Sequence, residues 1–164
     1  MASSPAASSH CARQTMRANR RADTGPERAL RSELHRLGLR FRKDLRLKLG
    51  GSSVRPDIVF TRAKVAVFVD GCFWHRCPEH GQMPRSNRGY WEPKLARNVE
   101  RDRTNDAVLQ ESGWAVLRFY EHFEVGEAAR IVHDTVKGSV RDAADALSSP
   151  PDRRGIQGEV DSVL

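Results

Sequence analysis

Cysteine is scarce in this chain. It has three among 164 residues, an odd number, and only two sit close together, beside histidines. That excludes the disulfide framework of a small secreted domain and points to metal binding in a reducing compartment. No apolar run approaches the length of a membrane span, which excludes a helical membrane protein. There is no internal repeat, so solenoids and propellers are excluded too. Acidic residues are in deficit: 21 Asp and Glu against 28 Lys and Arg leave a formal net charge of +7 and a pI near 9.9. Such a surface favours a polyanionic partner through counterion release. The length suits one domain with a sizeable core and short unstructured ends.

The deficit of acid is sharpest in residues 1–23, rich in Ala, Ser and Arg with Asp23 as their one acidic residue. This composition fits an organelle transit peptide or a flexible basic arm on DNA phosphates. Arg13, Arg17, Arg20 and Arg21 run straight into a helix cap, which favours the arm. Cys11 lies in it as a bystander. Residues 24–147 read as the folded domain. Thr24-Gly25-Pro26-Glu27 has capping-box form, Leu30, Leu34 and Leu37 follow at helical spacing, and Gly38 stops the helix. Residues 39–47 read as an irregular edge strand and Gly50-Gly51-Ser52-Ser53 as a turn. Asp57–Phe60 and Val65–Val69 read as neighbouring buried strands. A loop then runs to about Trp91. Pro93 opens a charged helix to Glu111 with a thin apolar face of Leu95, Val99 and Leu109. Trp114–Phe119 is a further strand, and 127–147 a last helix with Ile131, Val132, Val136 and Val140 inward. Residues 148–164 read as a disordered tail. The order α-β-β-β-α-β-α predicts a three-layer α/β domain, a mixed sheet flanked by helices.

Thirteen residues, Phe68 to His80, carry two thiols, two imidazoles, two carboxylates and the adjacent aromatics Phe73 and Trp74. Cys72-x4-Cys77-x2-His80 supplies three ligands of a tetrahedral zinc site. His122, beyond the last strand, is the chosen fourth, because a distant ligand ties the loop to the core. His75 also lies between the thiols and competes, but Cys77 and His80 suffice as a chelate and leave it free. Four protein ligands make this zinc structural, the frame of a loop with little apolar content.

Asp57 begins one buried strand and Asp70 ends the next. Each alone is an ordinary turn or capping residue. Together, with His75 five residues further, they suit a hard cation such as Mg²⁺ that stabilises a transferring phosphoryl group while His75 deprotonates a water.

These residues resemble the very-short-patch-repair (Vsr) DNA mismatch endonucleases. The likeness runs through Gln14–Ala18, Pro56-Asp57, Phe68–His75, Tyr90-Trp91, Asn98–Asp102 and Gly113-Trp114 to Glu121-His122, roughly residues 12 to 125. It implies a restriction-endonuclease-like core and a nick in one DNA strand 5′ to the thymine of a T·G mismatch, the lesion left when 5-methylcytosine deaminates. By the same resemblance Asp57 binds Mg²⁺ with the backbone carbonyl of Val69, and His75 activates the water. Glu27 supports the metal's waters, although capping is its simpler role. Cys72, Cys77, His80 and His122 match zinc positions. Phe73, Trp74 and Trp91 match aromatics that wedge beside the mismatch, where a faulty step is cheapest to open; Trp91 is equally a core aromatic by its sequence. Met16 matches a contact from the other groove, and Asn98 and Arg101 lie in the matched block. Lys94 and Arg101, with Arg85, Arg88, Arg97 and Arg103, suit phosphates or a solvated face alike.

The resemblance further implies a monomer in a bacterial-type cytoplasm, with functional links to a cytosine-5 methyltransferase and to mismatch-repair proteins. Two features stand apart. Position 70 is Asp where well-known members have His, and the acidic-x-Lys of restriction nucleases is absent after Val65, an absence the family shares. Two other readings stay open: a Vsr-like nuclease of a restriction or defence system, and a zinc-stabilised DNA-binding module without catalysis.

Overall fold

The computed structural model describes residues 23–80 and 87–148. The N-terminal arm with Cys11 and Met16, the tail from 149 onward and Arg85 lie outside the described residues. Helix α1 (Gly25–Arg36) opens on the expected cap. The Glu27 backbone N–H donates to the Thr24 hydroxyl, and the Glu27 carboxylate accepts from the Thr24 hydroxyl at 2.9 Å and the Asp23 N–H at 2.8 Å. Gly38, at φ 76°, turns the chain out of the helix.

The edge strand of the sequence reading is two pieces. β1 (Arg42–Lys43) joins the main sheet, whereas β2 (Leu47–Leu49) pairs with β3 (Ser52–Val54) in a separate hairpin. Its turn is Gly50-Gly51 alone, both at positive φ, which suits the twist of a two-residue hairpin. Ser52 and Ser53 therefore belong to the strand. The main sheet has the order β1-β4-β5-β6, from β4 (Ile58–Phe60), β5 (Val65–Asp70) and β6 (Ala115–Tyr120); β5 and β6 are parallel and the other pairs antiparallel.

Strand alternation sends Val65 and Val67 to one face, where α1 and α3 (Val125–Ser148) cover them with Leu30, Leu34, Ala128, Ala129 and Val132. Ala66 and Phe68 face the other way, toward Leu47, Val54 and Leu109 from the hairpin and α2 (Arg88–Glu111). The three-layer α/β architecture holds, with one extra strand pair. Among the described residues no helix is long and apolar enough to cross a membrane.

Three expectations need correction. Helix α2 begins at Arg88, five residues before Pro93, because Trp91 and Leu95, four apart, bury one face against the domain. Pro93 is therefore inside the helix, and Trp91 is helical rather than in the loop. Helix α3 starts at Val125, since the Glu124 carboxylate caps the Gly126 and Glu127 N–H groups. Ile131 does not point inward: it is 38% exposed, because the buried line runs through Ala128, Val132 and Val136 at four-residue spacing.

Candidate active site and metal centre

Apart from Glu27 on α1, the named residues among those described gather near one end of β5 and on α2. Pro56 is fully buried and the Asp57 backbone is pinned on both sides: its N–H donates to the Val67 carbonyl and its carbonyl accepts from the Asp44 N–H. The Asp57 carboxylate accepts the Val69 N–H at 2.7 Å. Burial pushes this acid up to about 6 against that hydrogen bond, and the negative charges of Glu27, Asp70 and Asp44 push it further. A half-buried carboxylate ringed by other carboxylates is the donor set that a hard cation completes. Glu27, 3% exposed, lies on this side but has its oxygens engaged at the α1 cap.

Residues 71–80 form a tight turn. The Cys77 N–H reaches the Cys72 carbonyl at 2.9 Å and the His75 N–H the Gly71 carbonyl at 3.1 Å, with Arg76 in the left-handed region at φ 50° to close the turn. Gly71 leaves room for Trp74, whose indole edge would lie 3.4 Å from a Cβ there. The turn brings Cys72 and Cys77 together, and His80 and His122 join them: one donor atom from each lies within 4.8 Å of all the others. Cys72 Sγ is 3.1 Å from His122 Nδ1, and Cys77 Sγ is 3.8 Å from it. Glu121 receives the Cys72 N–H at 3.0 Å, and Glu79 faces His122 Nε2 at 3.5 Å. Burial and the neighbouring Cys77 and Glu121 push the Cys72 thiol up to about 11. A divalent ion reverses that, because it binds the thiolate. Two sulfurs and two imidazole nitrogens at this spacing fit a tetrahedral metal.

His75 is not among these four grouped donors. Its Nδ1 lies 2.6 Å from Asp102 Oδ2, on α2. An ionised carboxylate only accepts, so Nδ1 carries the proton, and in the neutral ring the remaining lone pair is on Nε2. Burial of Asp102 opposes ionisation, but the hydrogen bond and charge of His75, with Arg118 and Arg101, hold its carboxyl below the usual range. Asp70 is 7% exposed and gives both oxygens to Arg118. Burial works against the Arg118 charge, yet Asp106 and Asp70 raise its pKa above the ordinary arginine range.

Phe73 and Trp74 lie beside His75 in the chain. Because they sit in a turn and not in an extended strand, two adjacent side chains can meet in one place. Their rings meet edge-on at 5.1 Å, and both touch Trp91, at 5.4 and 5.9 Å. Trp91 is buried, at 7% exposure, while Phe73 and Trp74 are half-buried. Lys94 lies over the rings of Trp74, Tyr90 and Trp91 at 5.1–5.5 Å. Asn98 donates to the Trp74 carbonyl at 3.3 Å, and Arg101 is exposed beside Asp102.

Asp102, Asp106 and Arg118 were missed as site residues. Signals existed: Asp102 and Asp106 share a helix face, and Arg118 is the lone charge in an apolar strand.

An oriented imidazole beside clustered carboxylates, on an α/β core, is the equipment of a phosphodiester-cleaving nuclease. Comparison with known proteins narrows the class. The profile described as DNA mismatch endonuclease Vsr matches residues 8–79. Type II nicking enzyme V.NaeI of Lentzea aerocolonigenes is 59% identical over 124 residues, 75% of each chain. Type II nicking enzyme V.XorIIP of Xanthomonas oryzae pv. oryzae is 44% identical over 106 residues, 63% of this chain and 74% of its own. DNA mismatch endonuclease Vsr of Escherichia coli (strain K12) is 39% identical over 111 residues, 66% of this chain and 67% of its own. The chain belongs to the Vsr family of endonucleases.

Proposed function

We propose that this protein is a Mg²⁺-dependent endonuclease that nicks one strand of duplex DNA 5′ to the thymine of a T·G mismatch. The observation that carries the reading is the His75–Asp102 pair, 2.6 Å apart, at the end of the strand that also binds Asp57. In this reading Asp57 and the Val69 carbonyl hold Mg²⁺, which supplies positive charge against the phosphoryl oxygens when bound. His75 Nε2 takes a proton from water, whose oxygen bonds to phosphorus as the bond to the leaving ester oxygen breaks. Asp102 keeps the ring in the tautomer this needs and stabilises the imidazolium that forms. Glu27 adds negative charge near the cation. Cys72, Cys77, His80 and His122 hold zinc, which fixes the turn bearing His75.

Phe73 and Trp74 enter the duplex at the mispaired step, with Trp91 as the surface behind them. Lys94 and Arg101 neutralise phosphates, and Asn98 holds the loop that presents the wedge. Met16 in the arm meets the opposite groove. A single nick needs one active site, in keeping with a monomer working beside a cytosine-5 methyltransferase and mismatch-repair proteins.

A second reading keeps the chemistry and changes the target. V.NaeI and V.XorIIP are named type II nicking enzymes, which favours service to a restriction or defence system. One experiment separates the readings: incubation with T·G and matched T·A duplexes in Mg²⁺, across varied flanking sequence. Preferential cutting of T·G supports the first, equal cutting the second, and no cutting of either rejects both. An Asp57→Ala variant that binds DNA but no longer nicks excludes the purely DNA-binding module.

A further inference from the structure

A single charged residue interrupts the apolar strand β6. Arg118 lies between Leu117 and Phe119, which face the main core, so strand alternation turns it toward α2. Its guanidinium is shared among three carboxylates. Nε and Nη2 donate to Asp106 at 2.9–3.0 Å, Nη1 donates to both Asp70 oxygens at 2.8 and 3.0 Å, and Nη2 is 3.9 Å from Asp102 Oδ1. The fork lies 4.2 Å over the Phe68 ring, which fixes its plane.

One group thus joins the end of β5, strand β6 and helix α2. Two of its three carboxylates lie one step behind His75. Asp70 Oδ1 is 3.5 Å from His75 Nδ1, so Asp70 and Asp102 both lie within reach of a single N–H. Arg118 decides between them. It occupies both Asp70 oxygens and leaves Asp102 Oδ2 as the acceptor. It also offsets the repulsion among Asp70, Asp102 and Asp106, which would otherwise push Asp102 out of line.

The geometry points to Arg118 as a positioning residue for strand cleavage, with Asp70 as its anchor and not a ligand of the working metal. This rests on the reading of His75 as the base. Arg118 touches neither the scissile group nor the cation; it acts through Asp102 on the direction in which His75 Nε2 faces.

The test uses the full chain with zinc bound, nicking a T·G duplex in Mg²⁺. Arg118→Lys keeps the charge but loses the fork. Misplacing a base by a fraction of a bond length is expected to lower kcat roughly 10- to 100-fold, with KM within about twofold of wild type. The low-field Nδ1–H proton resonance of His75 should move or broaden. Asp70→Asn should lower kcat with an unchanged Mg²⁺ midpoint. Wild-type kcat in Arg118→Lys, or a loss confined to KM, overturns the positioning role. A raised Mg²⁺ midpoint in Asp70→Asn overturns the anchor role and makes Asp70 a ligand. Should Arg118→Lys unfold, Asp106→Asn loosens the same fork from its far side and must also lower kcat. The resonance is independent of nicking. If the wild type cuts nothing, the nuclease reading fails by itself, while an unmoved His75 resonance in Arg118→Lys overturns this inference separately.

Discussion

Replacing Asp57 by Asn should abolish nicking and at the same time stabilise the protein in Mg²⁺-free buffer. Burial and the charges of Glu27, Asp70 and Asp44 hold the Asp57 acid at about 6 against an ordinary 3.8. That gap is roughly two pH units, so keeping this group charged above pH 7 costs about 3 kcal/mol. The asparagine oxygen still accepts the Val69 N–H that Asp57 accepts at 2.7 Å, so the substitution removes charge without removing the hydrogen bond. The sign follows from linkage: the folded state binds the proton more tightly than the unfolded chain. Stability from neutral Asp57 is fully present below about 3.8 and is lost as pH rises through about 6. Asp57→Asn escapes that loss. Its advantage should be absent near pH 4, grow between pH 4 and 6, and level off above, where the melting temperature should exceed wild type by roughly 5–10 °C. Added Mg²⁺ should then raise the wild-type melt and leave the variant unmoved, since a cation stabilises only the state that binds it. Melts that coincide at pH 8, or a variant that responds to Mg²⁺ like wild type, would refute the argument.

Asp102→Asn should cut kcat by about 10²–10⁴-fold with little change in DNA affinity, because an amide can donate to Nδ1 and select the wrong tautomer; single-turnover nicking and a binding titration check this. Stripping the Cys72/Cys77/His80/His122 centre with a chelator, or Cys77→Ala, should lower the melting temperature and abolish nicking. Readdition of zinc to the stripped wild type should release protons, measurable with an indicator dye, because the Cys72 thiol holds its proton up to about 11 without a cation. Phe73→Ala with Trp74→Ala should bring T·G affinity down to that of matched duplex, read by competition at fixed salt; equal losses on both duplexes would make the rings structural.

Local signals made much of the site legible. Thr24 and Glu27 form a box that capping geometry dictates, and the Cys72/Cys77/His80 spacing is short enough that one turn must gather the donors. His122 was reachable only by asking which residue a distant strand end could supply. What the sequence hid depends on tertiary registry. Asp102 looks like any charged residue of a solvated helix until β5 and β6 set α2 at the height where it meets His75. Trp91 carries no mark that its burial against Leu95's side of the domain would pull the helix start back to Arg88. The edge segment split because Leu45 and Leu49 pack with Leu47 and Val54 on the α2 face, whereas Phe41 belongs to the opposite core. A periodicity of two cannot reveal which sheet a strand joins.

The proposed wedge and base share a backbone, and that has a mechanical consequence. Phe73, Trp74 and His75 are consecutive in a turn closed by two backbone hydrogen bonds, tied to α2 through Asn98 and Asp102 and to β6 through Glu121 and His122. Such a turn has little freedom to move its aromatics without moving its imidazole. Opening a base step costs a few kcal/mol, less where pairing is already faulty. In the proposed mechanism a matched step therefore resists both entry of the rings and approach of His75, whereas a mispaired step yields to both. Discrimination then falls on kcat as well as on binding, because a duplex that is bound without being opened holds its phosphate away from Nε2.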